Sequence, residues 1–94
     1  MRTAARVDRN QKETMDWLKN HGYSVLSLAA VGKGCPDLLV GKFGHNFLIE
    51  VKDGAKTPSA RRLTKAQLQF HAEWKGEIDI IENLEQLQNW EQWS

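Results

Sequence analysis

The chain has a single cysteine, Cys35, and no apolar run long enough to cross a bilayer. One thiol excludes an intrachain disulfide, and three scattered histidines, His21, His45 and His71, give it no zinc-ligand spacing. No Cys–His arrangement is suggested, so Cys35 reads as a small buried filler beside a turn rather than a nucleophile. Lacking a secretory leader as well as a membrane span, the chain reads as soluble and cytoplasmic. No repeat, low-complexity tract or linker interrupts the 94 residues, which leaves one domain, residues 1–94, with a single core.

Each part of the chain is also short of one sign of charge. Residues 1–65 hold 12 of the 13 Lys and Arg against 6 acids, and residues 66–94 hold 1 against 6, so a net charge of +1 hides parts of +6 and −5. A basic side facing phosphate fits nucleic acid, and a plain scatter of solvated charges gives the same count. Met1–Val7, with Arg2 and Arg6, reads as a basic arm.

What is present is concentrated between Gly34 and Lys52. Leu38–Val40 and Phe47–Val51 are short β-rich apolar runs, and the Gly41–His45 break between them has the length and glycine content of a hairpin loop. In an antiparallel pair the facing residue numbers sum to a constant, and a turn centred between Phe43 and Gly44 sets Asp37 opposite Glu50. Directly opposed side chains have Cβ atoms roughly 4.5 to 5.5 Å apart. Two carboxylates that close repel unless a proton or a cation sits between them. Glu50 and Lys52 share a strand face while Ile49 and Val51 take the apolar one. Two acidic oxygens with a strand carbonyl suit Mg²⁺ or Mn²⁺, and the neighbouring ammonium could activate water or neutralise a phosphorane-like transition state.

The remaining elements are set out around this hairpin. Asp8 is an N-cap for a helix over Arg9–Asn20 that closes at Gly22 and carries Gln11, Met15 and Leu18 on one face. Tyr23–Ala30 reads as a first strand, followed by a glycine-containing loop, Val31–Pro36, that presents Lys33. Asp53–Arg62 is a loop whose Lys56, Arg61 and Arg62 fit phosphate contact and ordinary solvation equally. Thr64 caps a helix running to Lys75, with Leu68, Phe70, His71 and Trp74 available for burial and Gly76 closing it. Glu77–Ile81 gives a short strand, and Asn83 caps a last helix bearing Leu84, Leu87, Trp90 and Trp93. The order is αβββαβα, an α/β fold. The three histidines read as capping, turn or surface residues, outside the Asp–Glu–Lys cluster.

Pro36-Asp37, then Glu50-Val51-Lys52 across a hairpin on one face, resembles the PD-(D/E)xK nuclease superfamily. Gly32 to Asp37, Glu50 to Gly54 and Leu63-Thr64-x-x-Gln67 are similar to its virus-type replication-repair nuclease domain (VRR-NUC), over nearly the whole chain. The resemblance implies a restriction-endonuclease-like core, a mixed central sheet flanked by helices. It makes Asp37 and Glu50 metal ligands, with Val51 lending its carbonyl, Lys52 the catalytic lysine and Gln67 an auxiliary active-site group. Many superfamily members carry a metal-linked glutamate on the first helix, and Gln11 stands at that position here. Glu13, the nearest acid, is about 200° away around the helix.

The expected activity is a Mg²⁺- or Mn²⁺-dependent DNA endonuclease, selective for branched DNA such as four-way junctions and acting as a homodimer; the Leu84, Leu87, Trp90 row offers a surface for a second copy or, as single amphipathic helices more often do, closes the monomer's core. Lys33, Lys56, Arg61 and Arg62 are its expected DNA contacts. The alternative is a non-catalytic DNA-binding module on the same fold, which has no need to hold two carboxylates together. A protein-interaction scaffold would leave the basic part unexplained.

Overall fold

A computed structural model describes residues 9–91. The basic arm over Met1–Val7, the cap assigned to Asp8, and Trp93 lie outside the described residues.

Three helices and four strands follow one another as α1 (Arg9–Asn20), β1 (Ser24–Ser27), β2 (Leu38–Lys42), β3 (His45–Val51), α2 (Lys65–Glu73), β4 (Ile78–Ile81) and α3 (Leu84–Trp90). The strands form one mixed sheet in the order β1-β2-β3-β4, antiparallel from β1 to β3 and parallel between β3 and β4. No helix among the described residues is long and apolar enough to cross a membrane.

The β2–β3 register pairs Leu38 with Ile49 and Val40 with Phe47. Extended by one step, it sets Asp37 opposite Glu50. The hairpin loop is shorter than the expected Gly41–His45 break, because Lys42 and His45 still pair and only Phe43 and Gly44 turn. Both have positive φ, 55° and 81°. That is the two-residue mirror-image turn whose twist matches paired strands, so the ladder continues to its edge. A bulky residue at positive φ is costly; Lys42 Nζ lies 5.2 Å from the Phe43 ring centroid.

Glycine ends α1 through specific bonds. Gly22, at φ 88°, donates to the Lys19 carbonyl while Tyr23 N–H reaches back to Leu18 O at 3.0 Å, the paired bonds of a left-handed C-cap. The turn drops Tyr23 into the core beside Leu18. Tyr23 is therefore packing rather than strand, and β1 is shorter than the expected Tyr23–Ala30. Its far end closes after Leu28 N–H bonds Asp37 O, where Val31 N–H turns back to Leu28 O.

Alternation then decides the layers. Leu38 and Val40 of β2, Phe47, Ile49 and Val51 of β3 and Ile81 of β4 join Leu18 of α1 and Leu87 of α3 in one buried cluster. Each such side chain contributes about 1.5–3 kcal/mol by leaving water. Trp90 belongs here too, packed 5.5 Å from both the Tyr23 and Phe47 rings and donating to Asp79 Oδ2. Leu87 and Trp90 thus close the monomer's own core, the second of the two uses open to this row, while Leu84 stays 38% exposed.

The opposite face is covered differently. Thr64 caps α2 as expected, in a full capping box with Gln67. The helix stops at Glu73 instead of Lys75, with Trp74 already extended at ψ 129°. The burial expected of its side chains is met only in part: Phe70 and His71 are half-buried, but Leu68 is 55% and Trp74 48% exposed, and no residue of α2 is fully buried. Among the described residues no further layer packs onto this side, and Trp74 instead stacks on Phe70 with ring centroids 5.3 Å apart.

Candidate active site

The end of β3 leaves the apolar cluster and becomes polar within two residues. Glu50 is only 1% exposed, although its strand neighbours Ile49 and Val51 face the core on the other side. Asp37, at the entry to β2, accepts the Val51 N–H on Oδ2 at 2.8 Å. This bond holds the Asp37 carboxylate at the end of β3, next to Glu50.

The Glu50 carboxyl is pushed up to about 8, first by burial, then by a hydrogen bond and charge repulsion from Asp37, with Lys52 opposing. Two carboxyls this close resist ionising together. Cys35 lies close enough to be affected: its thiol is pushed up by burial and then by the charges of Glu50 and Asp37. The shift is opposite to that of a reactive cysteine, although the side chain is half-buried and not the buried filler expected.

Lys52 and α2 complete the cluster. Lys52 Nζ donates to Gln67 Oε1 at 2.9 Å, and Gln67 Nε2 donates to Glu50 Oε2 at 3.3 Å. The same Gln67 oxygen accepts the Thr64 N–H at 2.9 Å as part of the helix cap. Gln67 therefore joins the helix cap to the lysine and the glutamate. The approach of α2 depends on Gly34, at φ 79°, where a Cβ would run into the Ala66 carbonyl.

The sequence reading placed no histidine in this cluster, and His71 corrects it. Its Nε2 stands 3.5 Å from Glu50 Oε1, with the side chain 16% exposed. Burial, then the charge of Lys52, lowers its pKa. The available signal was the four-residue spacing from Gln67, which sets both side chains on one face of a helix. His21 does act as a cap, its Nδ1 2.8 Å from Trp17 O and its ring stacked on Trp17, and His45 is exposed at the hairpin end.

The other expected site residues divide. Gln11 is buried on the side of α1 that also carries Leu18, while Glu13 is exposed and pairs with Arg9 at 3.7 Å, so the helix phase is the expected one. Asn10, beside Gln11, donates to Lys52 O at 2.6 Å and ties this end of α1 to the end of β3. Lys33, Lys56 and Arg62 are exposed, Lys33 at a strained φ of 58°. Arg61 is turned away from solvent, its Nη1 3.1 Å from Glu82 Oε2, and pins the loop to the end of β4.

Among the described residues no three His, Cys, Asp or Glu side chains gather into a metal cage. A cation here would rest on two carboxylates, a backbone carbonyl and water, the habit of Mg²⁺. No family model, curated protein or solved structure matches this chain.

Proposed function

We propose that the chain is a divalent-cation-dependent DNA endonuclease with the restriction-endonuclease-like core of the PD-(D/E)xK superfamily, and that it resembles the VRR-NUC domain. The observation that carries this reading is the half-buried Asp37 set against the buried Glu50, whose carboxyl is raised to about 8 beside Lys52. Holding two carboxyls together away from water costs stability, and a hard cation relieves that cost.

Asp37 and Glu50 would hold Mg²⁺ or Mn²⁺. The Val51 N–H faces Asp37. In an extended strand a residue's carbonyl leaves on the same edge as its N–H, which supports Val51 O as a further ligand. Gln11, neutral where a glutamate is common in the superfamily, would bring an amide and less charge. When bound, the cation would supply positive charge to phosphate oxygens and acidify a water.

The chain's own residues do the rest. Lys52 commits one of its three N–H groups to Gln67, leaving two for a phosphate oxygen or the attacking water. Gln67 fixes that ammonium against the Glu50 carboxylate. The water oxygen bonds to phosphorus as a bridging P–O bond breaks; one strand end keeps the phosphate and the other takes the proton as a hydroxyl. Exposed Lys33, Lys56 and Arg62 would hold the DNA backbone without reading bases, with Arg61 acting through the loop it pins.

Branched DNA is the proposed substrate, and a homodimer would need a surface other than the α3 row. Labelled duplex, flap, single-stranded and four-way-junction DNAs, incubated with Mg²⁺, Mn²⁺ or EDTA, test the reading. Cleavage with either cation and none with EDTA is expected, fastest on the junction. Binding without cleavage under every condition would make the chain a DNA-binding module instead. Light scattering at micromolar protein tests the dimer.

A further inference from the structure

We propose that His71 is a positioning residue that fixes the Glu50 carboxylate for a cation, an inference that rests on the nuclease reading above. The two Glu50 oxygens are held by two side chains of one helix: Gln67 Nε2 at 3.3 Å from Oε2, and His71 Nε2 at 3.5 Å from Oε1. With its proton on Nε2 the ring donates, as the amide does. Asp37, Lys52 and Cys35 are the other polar groups close to Glu50.

A glutamate carboxyl turns freely about its last bond unless both oxygens are engaged. One donor on each oxygen sets its plane and leaves the remaining lone pairs for a cation. Outer partners of this kind orient ligands at metal sites generally. Packing alone does not account for His71. It is half-buried, as Phe70 beside it is, on a helix with no fully buried residue, while Leu68 of that helix and its C-cap Trp74 stand 55% and 48% exposed. What α2 turns to the sheet at this point is a pair of hydrogen-bond donors one turn apart. The first, Gln67, also closes the helix cap, so its loss would disturb the helix itself. His71 has no part in the cap, which makes it the cleaner probe.

Three variants separate orientation from packing. His71→Phe keeps the ring and removes the donor, His71→Gln keeps a donor near the Nε2 position without the ring, and His71→Ala removes both. Mn²⁺ binding by electron paramagnetic resonance, without DNA, gives a readout independent of activity. The expected result is weakening of about 10- to 100-fold in the Ala and Phe variants, with most of the affinity restored in His71→Gln. The Mn²⁺ concentration for half-maximal cleavage should rise in the same order. Wild-type affinity in His71→Phe would overturn the proposal and leave the nuclease reading standing. Failure of the wild-type protein itself to bind Mn²⁺ would remove both. Thermal midpoints of all three near wild type without metal are expected; a collapse confined to His71→Ala, with His71→Phe normal in stability and Mn²⁺ affinity, would assign the ring to packing.

Discussion

On one face of the sheet, α1 and α3 press Leu18 and Leu87 onto Leu38, Val40, Ile49, Val51 and Ile81, and all seven side chains are buried. On the other, α2 buries none of its own residues and meets Glu50 with an amide and an imidazole. Leu26 and Ile80 stay 57% and 42% exposed. β3 serves both faces, with Ile49 and Val51 in the packed layer and Glu50 between them on the polar side. The first face supplies stability in proportion to area removed from water. The second uses some of it to keep two carboxyls and a lysine in fixed positions. Rigidity from one side thus supports a strained polar cluster on the other, the arrangement expected where a fold carries a site.

The comparison breaks most sharply in activity. Asp37→Asn, Glu50→Gln and Lys52→Ala should each lower cation-dependent cleavage by about 100-fold or more while circular dichroism stays native. A variant that cuts at the wild-type rate would take its residue out of the mechanism. Next in size is the packed face, where Ile49→Ala should cost about 2–5 kcal/mol in urea unfolding, although its neighbour Glu50→Gln costs none. Equal losses at the two positions would mean that the polar face also carries stability.

The pH dependence separates the faces further. Glu50 is raised to about 8, so between its unfolded value and that pH the folded chain holds the extra proton. Stability without metal therefore falls as pH rises, by up to about 1.4 kcal/mol per unit for one proton. His71, lowered, works in the opposite sense near its ordinary value of 6.5, and Glu77, raised by its hydrogen bond to Asp79, in the same sense as Glu50. The interval from about 7 to 8 isolates Glu50, and denaturant melts there should lose their slope in Glu50→Gln. An unchanged slope would show that the carboxyl is not the titrating group.

Smaller effects are expected on the helices. Gln11→Ala should weaken Mn²⁺ binding several-fold, more than Glu13→Ala, since Gln11 is buried and Glu13 is engaged with Arg9 at the surface; calorimetry showing the reverse order would move the metal site away from α1. Leu68→Ala should change stability by no more than about 0.5 kcal/mol, and Trp74→Ala, which also loses its stack on Phe70, by about 1 kcal/mol; a larger loss at Leu68 in thermal melts would show that the α2 face carries packing of its own.

Much of this was legible along the chain because it is local. Gly22 as a C-cap, Thr64 and Asn83 as N-caps, the phase of Gln11 against Leu18, and a glycine turn centred at Phe43–Gly44 each depend on neighbouring residues. The hairpin then made one long-range relation readable, since a tight turn and a strict two-residue alternation fix Asp37 against Glu50 with no knowledge of the rest. Three things could not be read that way. That α2 would leave Leu68 and Trp74 in water depends on what lies above it. Which of two uses Leu87 and Trp90 would find, the monomer's core or a second copy, depends on where α3 lands. And His71 and Glu50 are separated by 21 positions, brought together only when β3, α2 and β4 close on one another. Local dihedral preference and side-chain period set the elements and the carboxylate pair; which face each helix covers, and so which donors reach Glu50, was decided by the packing of whole elements, for which the chain carries no local signal.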